Sequence, residues 1–139
     1  MAAFNKFNQF VQDLAIGVHN LNTDALKVMF TDVAPVATNK VKADISEIAV
    51  GNGYVIGGFQ ANFVSGGDVA GLYKLILAQV SVTAVGGSIA QFRYVVLYNS
   101  RPAAGPLVGF WDFGAEVNLT NGNTFTVNLD QVNGVLTVQ

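Results

Sequence analysis

Apolar positions recur along this chain with two different periods. Over residues 3 to 21, Phe4, Phe7, Val11, Leu14, Val18 and Leu21 fall at spacings of three and four, with Phe10 beside the stripe. Asn5, Lys6, Asn8, Gln9, Gln12 and Asp13 fill the opposite side. That is the period of an amphipathic helix, and Gly17 weakens it near its end. Asn20 to Asp24 reads as a polar linker. Beyond it the period drops to two, the mark of a strand with one buried face.

Leu26, Val28 and Phe30 alternate first. Residues 32 to 43 hold Pro35 and mostly small or polar side chains, and so read as a loop. Asp44-Ile45-Ser46-Glu47 has the spacing of a capping box and predicts one or two helical turns ending at Gly51-Asn52-Gly53. Phe59, Ala61 and Phe63 alternate, and Ser65-Gly66-Gly67-Asp68 is expected to turn the chain. Tyr73, Leu75 and Leu77 follow, then Val80, Val82 and Ala84 before Gly86-Gly87. Phe92 to Tyr98 is apolar on both faces apart from Arg93, which predicts a central strand. Asn99 to Pro106 is a loop. Leu107, Trp111 and Phe113 share a face, and Phe125, Val127 and Leu129 give the cleanest alternation. Asn121-Gly122 and Asn133-Gly134 carry hairpin signals. Phe92, Tyr94, Val96, Trp111, Phe113, Phe125, Val127 and Leu129 are the expected core.

Seven to nine short strands at regular spacing predict a mainly β fold, an antiparallel β-sandwich or jelly-roll-like barrel with a short N-terminal helix. The linker divides the chain into an N-terminal helix or arm at 1–22 and a single antiparallel β domain at 23–139. Phe4, Phe7 and Phe10 form a candidate partner interface at the exposed end of that segment. The rest of its stripe is assigned to the domain's own core.

Composition narrows the possible work of this domain. The chain has 139 residues, no cysteine and one histidine. Disulfides, thiolate chemistry and two-histidine sites are thereby excluded. Charged residues make up 12% and the net charge is −2, whereas a nucleic-acid binder needs a basic face. The charge-free run from Leu75 to Phe92 is interrupted by Gln79, Gly86-Gly87 and Gln91, and reads as two strands about a turn rather than a membrane span. The beginning of the chain has no signal-peptide pattern, so synthesis in the cytoplasm is expected. Thirteen asparagines supply an amide surface in place of charges. Low charge is also what an interface shared with other subunits requires.

Candidate chemistry is sparse. Gly51-x-Gly53 with Gly57-Gly58 lacks the third glycine of a dinucleotide loop, because position 56 is Ile56. Asp112-Phe113-Gly114 spells a kinase triplet without the rest of a kinase. His19 falls on the polar side near the helix end, where it can face the negative end of the helix dipole. Asp112 and Glu116 are the one close carboxylate pair late in the chain; flanking a turn, they could bind a cation or pair with Arg93 or Arg101. No catalytic, cofactor-binding or metal-binding residue is assigned, and no cofactor is expected.

The runs KADISEIAVGNGY, GLYKLILAQVSVTAVGGSIAQFRYVVLYN and LVGFWDFGAEVNLTNGNTFTVNLDQVNGVLTV resemble small virion structural proteins of tailed bacteriophages. The likeness covers nearly the whole chain, including its phenylalanine-rich start. It implies a capsid decoration, or cement, protein: no enzyme, but a homotrimer on the capsid surface that clamps the major capsid protein, made in the host cytoplasm. It carries no site motif, so no binding residue transfers from it. A tail or head-tail connector component, and a small host-ligand-binding β domain, are the alternative readings. Neither nucleic acid nor membrane is an expected partner.

Overall fold

The computed structural model describes residues 3–139. In chain order its elements are β1 (Phe4–Lys6), α1 (Asn8–Ala15), β2 (Leu26–Thr31), β3 (Phe59–Ala61), β4 (Phe63–Val69), β5 (Leu72–Leu77), β6 (Val80–Thr83), β7 (Phe92–Asn99), β8 (Leu107–Val117), β9 (Thr124–Val127) and β10 (Leu136–Val138). A 3-10 turn occupies Lys42–Asp44. The strands pair antiparallel in three sheets, ordered β1-β8-β7-β2-β3, β10-β5-β4 and β6-β9. None of these sheets closes on itself, so the fold is sandwich-like and not a barrel.

β7 sits in the middle of the five-stranded sheet, as its two-sided apolar run requires. Val95 and Leu97 point into the main core with Leu26, Val28 and Phe30 of β2. Leu75, Leu77, Val80, Val82, Val127 and Leu136 reach the same core from the two smaller sheets, and Leu129 from just past β9. Val96 and Tyr98 point the other way, into a second cluster with Phe7, Met29 and Leu107. Arg93 lies where the β7–β8 register slips between Phe92 and Tyr94. The slip puts Phe92 on the Val95 side, which alternation alone would not do. Phe92 stacks on Phe30 at 4.3 Å between ring centroids, and Phe125 meets both edge-on. Tyr94, Phe113 and Phe125 are half-buried; the other five expected core residues are buried.

The N-terminal segment departs from its predicted form. A helix over 3–21 is replaced by β1 and the shorter α1, because the edge of β8 takes the backbone of Phe4–Lys6. Phe4 lies opposite Trp111, 5.1 Å from its ring, and rests on Gly109, where any side chain would block it. Tertiary pairing here overrides a local helical pattern. Residues 3–22 therefore belong to the β domain and are not a separate arm; residues 1 and 2 lie outside the described residues.

Three turn assignments also change. Ser65-Gly66-Gly67-Asp68 continues β4, and the turn comes at Ala70-Gly71, with φ of 53° and 86°. Positive φ at both central residues defines a type I′ hairpin. Asn121-Gly122 and Asn133-Gly134 do turn the chain, but they pass it between sheets. β8 pairs with β7 while β9 pairs with β6, and β10 pairs with β5.

Candidate interaction surface

The connection from β2 to β3, residues 32 to 58, holds a 3-10 turn and otherwise irregular chain. Loops of such length are uncommon in compact domains unless they bind something. This one is fastened at many points. The Thr31 hydroxyl donates to Ser46 O at 2.6 Å. Asp44 accepts from the backbone N–H groups of Lys40 and Val41 at 2.8 and 3.1 Å, and these bonds hold its carboxyl below the usual range. The capping-box helix predicted at 44–47 is absent; the 3-10 turn precedes it, with Asp44 at its end. Glu47 instead accepts from the Tyr54 hydroxyl and the Gly57 N–H, both at 2.7 Å. The Tyr54 oxygen accepts from Phe30 N–H at 3.1 Å, and Tyr98 donates to Gly57 O at 2.6 Å. Burial raises both tyrosine pKa values, so both side chains remain neutral donors. Gly58 packs directly against the Val28 carbonyl, at a place and a φ of 75° that admit no side chain.

Glu47 and Tyr54 thus turn their polar groups toward the body of the domain, and Ile48 and Tyr54 are buried there, while five other aliphatic side chains of the loop face outward. Val33, Val36, Val50, Val55 and Ile56 are exposed, Ile56 at 71%. Phe63, Val64 and Val69 of β4 continue the series along the chain. Branched side chains lose little rotamer freedom on contact, and the backbone beneath them is already ordered. Both properties reduce what association must supply. The sequence carries a faint signal of this surface: aliphatic residues 33 to 56 follow neither period and sit among Gly, Pro and Asn.

The candidate interface at Phe4, Phe7 and Phe10 has a different position. Phe7 and Phe10 are buried at 0% and 3% exposure and Phe4 is half-buried, all against their own chain. Phe7 packs 5.2 Å from the Phe110 ring. These rings are spent inside the domain and leave little for a neighbour.

His19 is buried and not on a polar surface. Asn99 Oδ1 accepts from Arg101 N–H, so its Nδ2 is the donor that reaches His19 Nδ1 at 3.1 Å and Asp24 at 2.6 Å. The proton of the neutral ring is therefore on Nε2, which has no hydrogen-bond partner among the described residues. Burial lowers the His19 pKa against the pull of Asp13 and Asp24. The expected flexible linker Asn20–Asp24 is a closed turn, in which Asp24 accepts from Asn20 N–H at 2.9 Å. An open groove of about 570 Å³ lies beside it, lined in part by Leu14, His19, Asn22 and Tyr73.

Asp112 is held by Arg93 through two bonds of 2.8 and 3.1 Å, and its carboxyl is kept acidic by that partner and by Gly114 N–H. Arg101 pairs with Asp24 instead. Gly51 and Tyr54 exchange backbone hydrogen bonds across a tight turn, which leaves no phosphate cradle there. Among the described residues no three His, Asp or Glu side chains are grouped to hold a metal ion. No helix among them is long and apolar enough to cross a membrane. Comparison of the chain with protein-family models, with curated proteins and with solved structures gives no match.

Proposed function

We propose that this chain is a non-enzymatic virion structural protein, a decoration or cement protein that clamps adjacent major capsid subunits on the head of a tailed phage. The observation that carries the reading is the pinned 32–58 connection with five exposed aliphatic side chains, Val33, Val36, Val50, Val55 and Ile56. A clamp needs a contact surface that is rigid before binding and offers apolar side chains that can leave water on contact. The resemblance of the sequence to small phage virion proteins supports the same reading. Repetition on a shell multiplies modest contacts by avidity.

The test is cosedimentation of the purified protein with shells assembled from the major capsid protein of its own phage. The wild-type protein is expected to pellet with shells and to raise their melting temperature. Ile56→Lys and Val33→Lys are expected to lose binding while keeping the wild-type unfolding curve, because both side chains stand in solvent in the free protein. Binding to tails or connectors in place of shells would favour the tail reading. Shell binding untouched by either substitution would remove the loop from the interface.

A further inference from the structure

Of the strands at sheet edges, β1, β3 and β10 have three residues each, β6 and β9 have four, and β4 has seven. Short edges protect themselves; long ones in native proteins usually carry charges, above all lysine, proline, a bulge or a covering element. β4 has no lysine and no proline, and its one charge is Asp68. Its residues are exposed apart from Gly66, and its one irregularity is a register shift between Phe63 and Ser65.

Hairpin geometry fixes which backbone groups of β4 are free. The type I′ turn at Ala70-Gly71 makes Val69 and Leu72 a hydrogen-bonded pair,. Pairs alternate in an antiparallel ladder, so Gly67 and Lys74 are bonded as well. Asp68 opposite Tyr73, and Gly66 opposite Leu75, then direct their N–H and C=O groups away from each other. The far strand agrees, because the Leu75 carbonyl accepts from Val135 N–H on the β10 side. The free edge therefore offers the N–H and C=O of Gly66 and of Asp68, placed symmetrically about Gly67.

We propose that β4 pairs antiparallel with β4 of a second copy of this chain, across a twofold axis at Gly67. In that register each free group of Gly66 meets a free group of the partner's Asp68, and the reverse, so the whole set is satisfied. Gly67 faces its own copy at a non-hydrogen-bonded position, where Cα atoms come within about 4.5 Å. A side chain is absent at the one point where the two backbones are closest. Asp68 stands opposite a glycine and not opposite the like charge, which would oppose pairing. Val69, 70% exposed in the single chain, gains cover beside Ser65 of the other copy. Alternating free groups are common to every edge strand; what favours a second copy is the glycine at the point of closest approach and the register that sets each Asp68 opposite a glycine. The pairing requires only a second copy, differs from the threefold assembly that the resemblance to decoration proteins implies, and stands apart from any shell-binding role.

Cysteine crosslinking reads the register directly, because the chain has no cysteine of its own. Gly67→Cys is tolerable: its φ lies outside the left-handed region and a Cβ there meets nothing within 4 Å. Under mild oxidation Gly67→Cys is expected to form a disulfide dimer. Ser65→Cys alone is not, whereas a mixture of Ser65→Cys and Val69→Cys is. Sedimentation of the wild-type chain should give a dimer. Asp68→Pro, which removes an N–H unused within the chain, should give a monomer with an unchanged melting curve. A wild-type monomer at high concentration would overturn the proposal. So would a dimer that survives Asp68→Pro, a trimer, or crosslinking by Ser65→Cys but not by Gly67→Cys.

Discussion

Asp24 shows how a single buried charge is kept. Its side chain has no exposure, yet it accepts from Asn20 N–H, Asn99 and Arg101 at 2.9, 2.6 and 2.8 Å. Burial alone would raise its pKa; the hydrogen bonds outweigh that and lower it. The stability it contributes is present above its unfolded value of 3.8 and is lost as pH falls through the lower folded one,. Asp24→Ala orphans the Asn20 and Asn99 donors, at about 1–3 kcal/mol each. Arg101→Ala removes a side chain that is 69% exposed and is expected to cost less than about 1 kcal/mol. Equal losses for the two variants in urea unfolding would assign the work to the ion pair and not to the amide bonds. His19 acts at a higher pH. Its pKa is lowered in the fold, so the unfolded chain takes up the proton first. Its sign is therefore destabilising on acidification: stability is unaffected well above 6.5 and falls as pH drops from there toward the folded value,. Protonation also has to break the bond that Asn99 donates to Nδ1. Urea midpoints measured down the pH scale should show this decline in the wild type and a flat line above the carboxylate range in His19→Gln. A flat wild-type profile would mean the ring titrates normally.

At the scale of elements, β1 and α1 are the informative case. Phe7 links them, with extended backbone, its N–H donated to Val108 O at 3.2 Å and its ring at 0% exposure. Phe7→Ala is expected to cost about 3–5 kcal/mol, and Trp111→Ala a similar amount. Either loss below about 1 kcal/mol in urea unfolding would place that ring outside the core. The strands that the sequence makes legible are those with an alternation and a buried face, β2, β5, β6 and β9, together with β7, whose run is apolar on both faces; all fall on predicted runs. What fails is information that lies outside the segment. Phe4-Asn5-Lys6 has no strand period; it becomes a strand because β8 offers an edge and Gly109 offers room. Gly66-Gly67 resembles a turn because nothing local says that the hairpin closes at Ala70-Gly71. Asn-Gly pairs announce a reversal, but the partner strand is chosen by the core, so Asn121-Gly122 and Asn133-Gly134 exchange sheets. The loop surface is the least legible part. The bonds that pin this loop run from Glu47 to Tyr54 and Gly57 within it, and from Phe30 to Tyr54 and Tyr98 to Gly57 across the fold, and none of them leaves a periodic pattern in the sequence.

At the scale of the whole molecule, scarcity of charge is the property with the widest consequence. Sixteen charged side chains serve 139 residues. Arg93 with Asp112, and Arg101 with Asp24, are already paired within the chain. The proposed contact residues Val33, Val36, Val50, Val55 and Ile56 are branched aliphatics. Association driven by such a surface should respond to salt in a particular way. Electrostatic contacts weaken as the Debye length shortens, and charge-steered encounter slows with them. Apolar burial is indifferent to that screening and is strengthened by salts excluded from protein surfaces, sulfate among them. Shell binding measured by cosedimentation is therefore expected to hold level as sodium chloride rises and to tighten in ammonium sulfate. Ile56→Lys should lower it at every salt concentration. Calorimetric titration of the same shells should show a negative heat-capacity change, the mark of apolar surface leaving water. Binding that falls steeply with sodium chloride would instead assign the contact to lysines and carboxylates elsewhere on the surface. The five exposed aliphatics of the loop would then have no part in it.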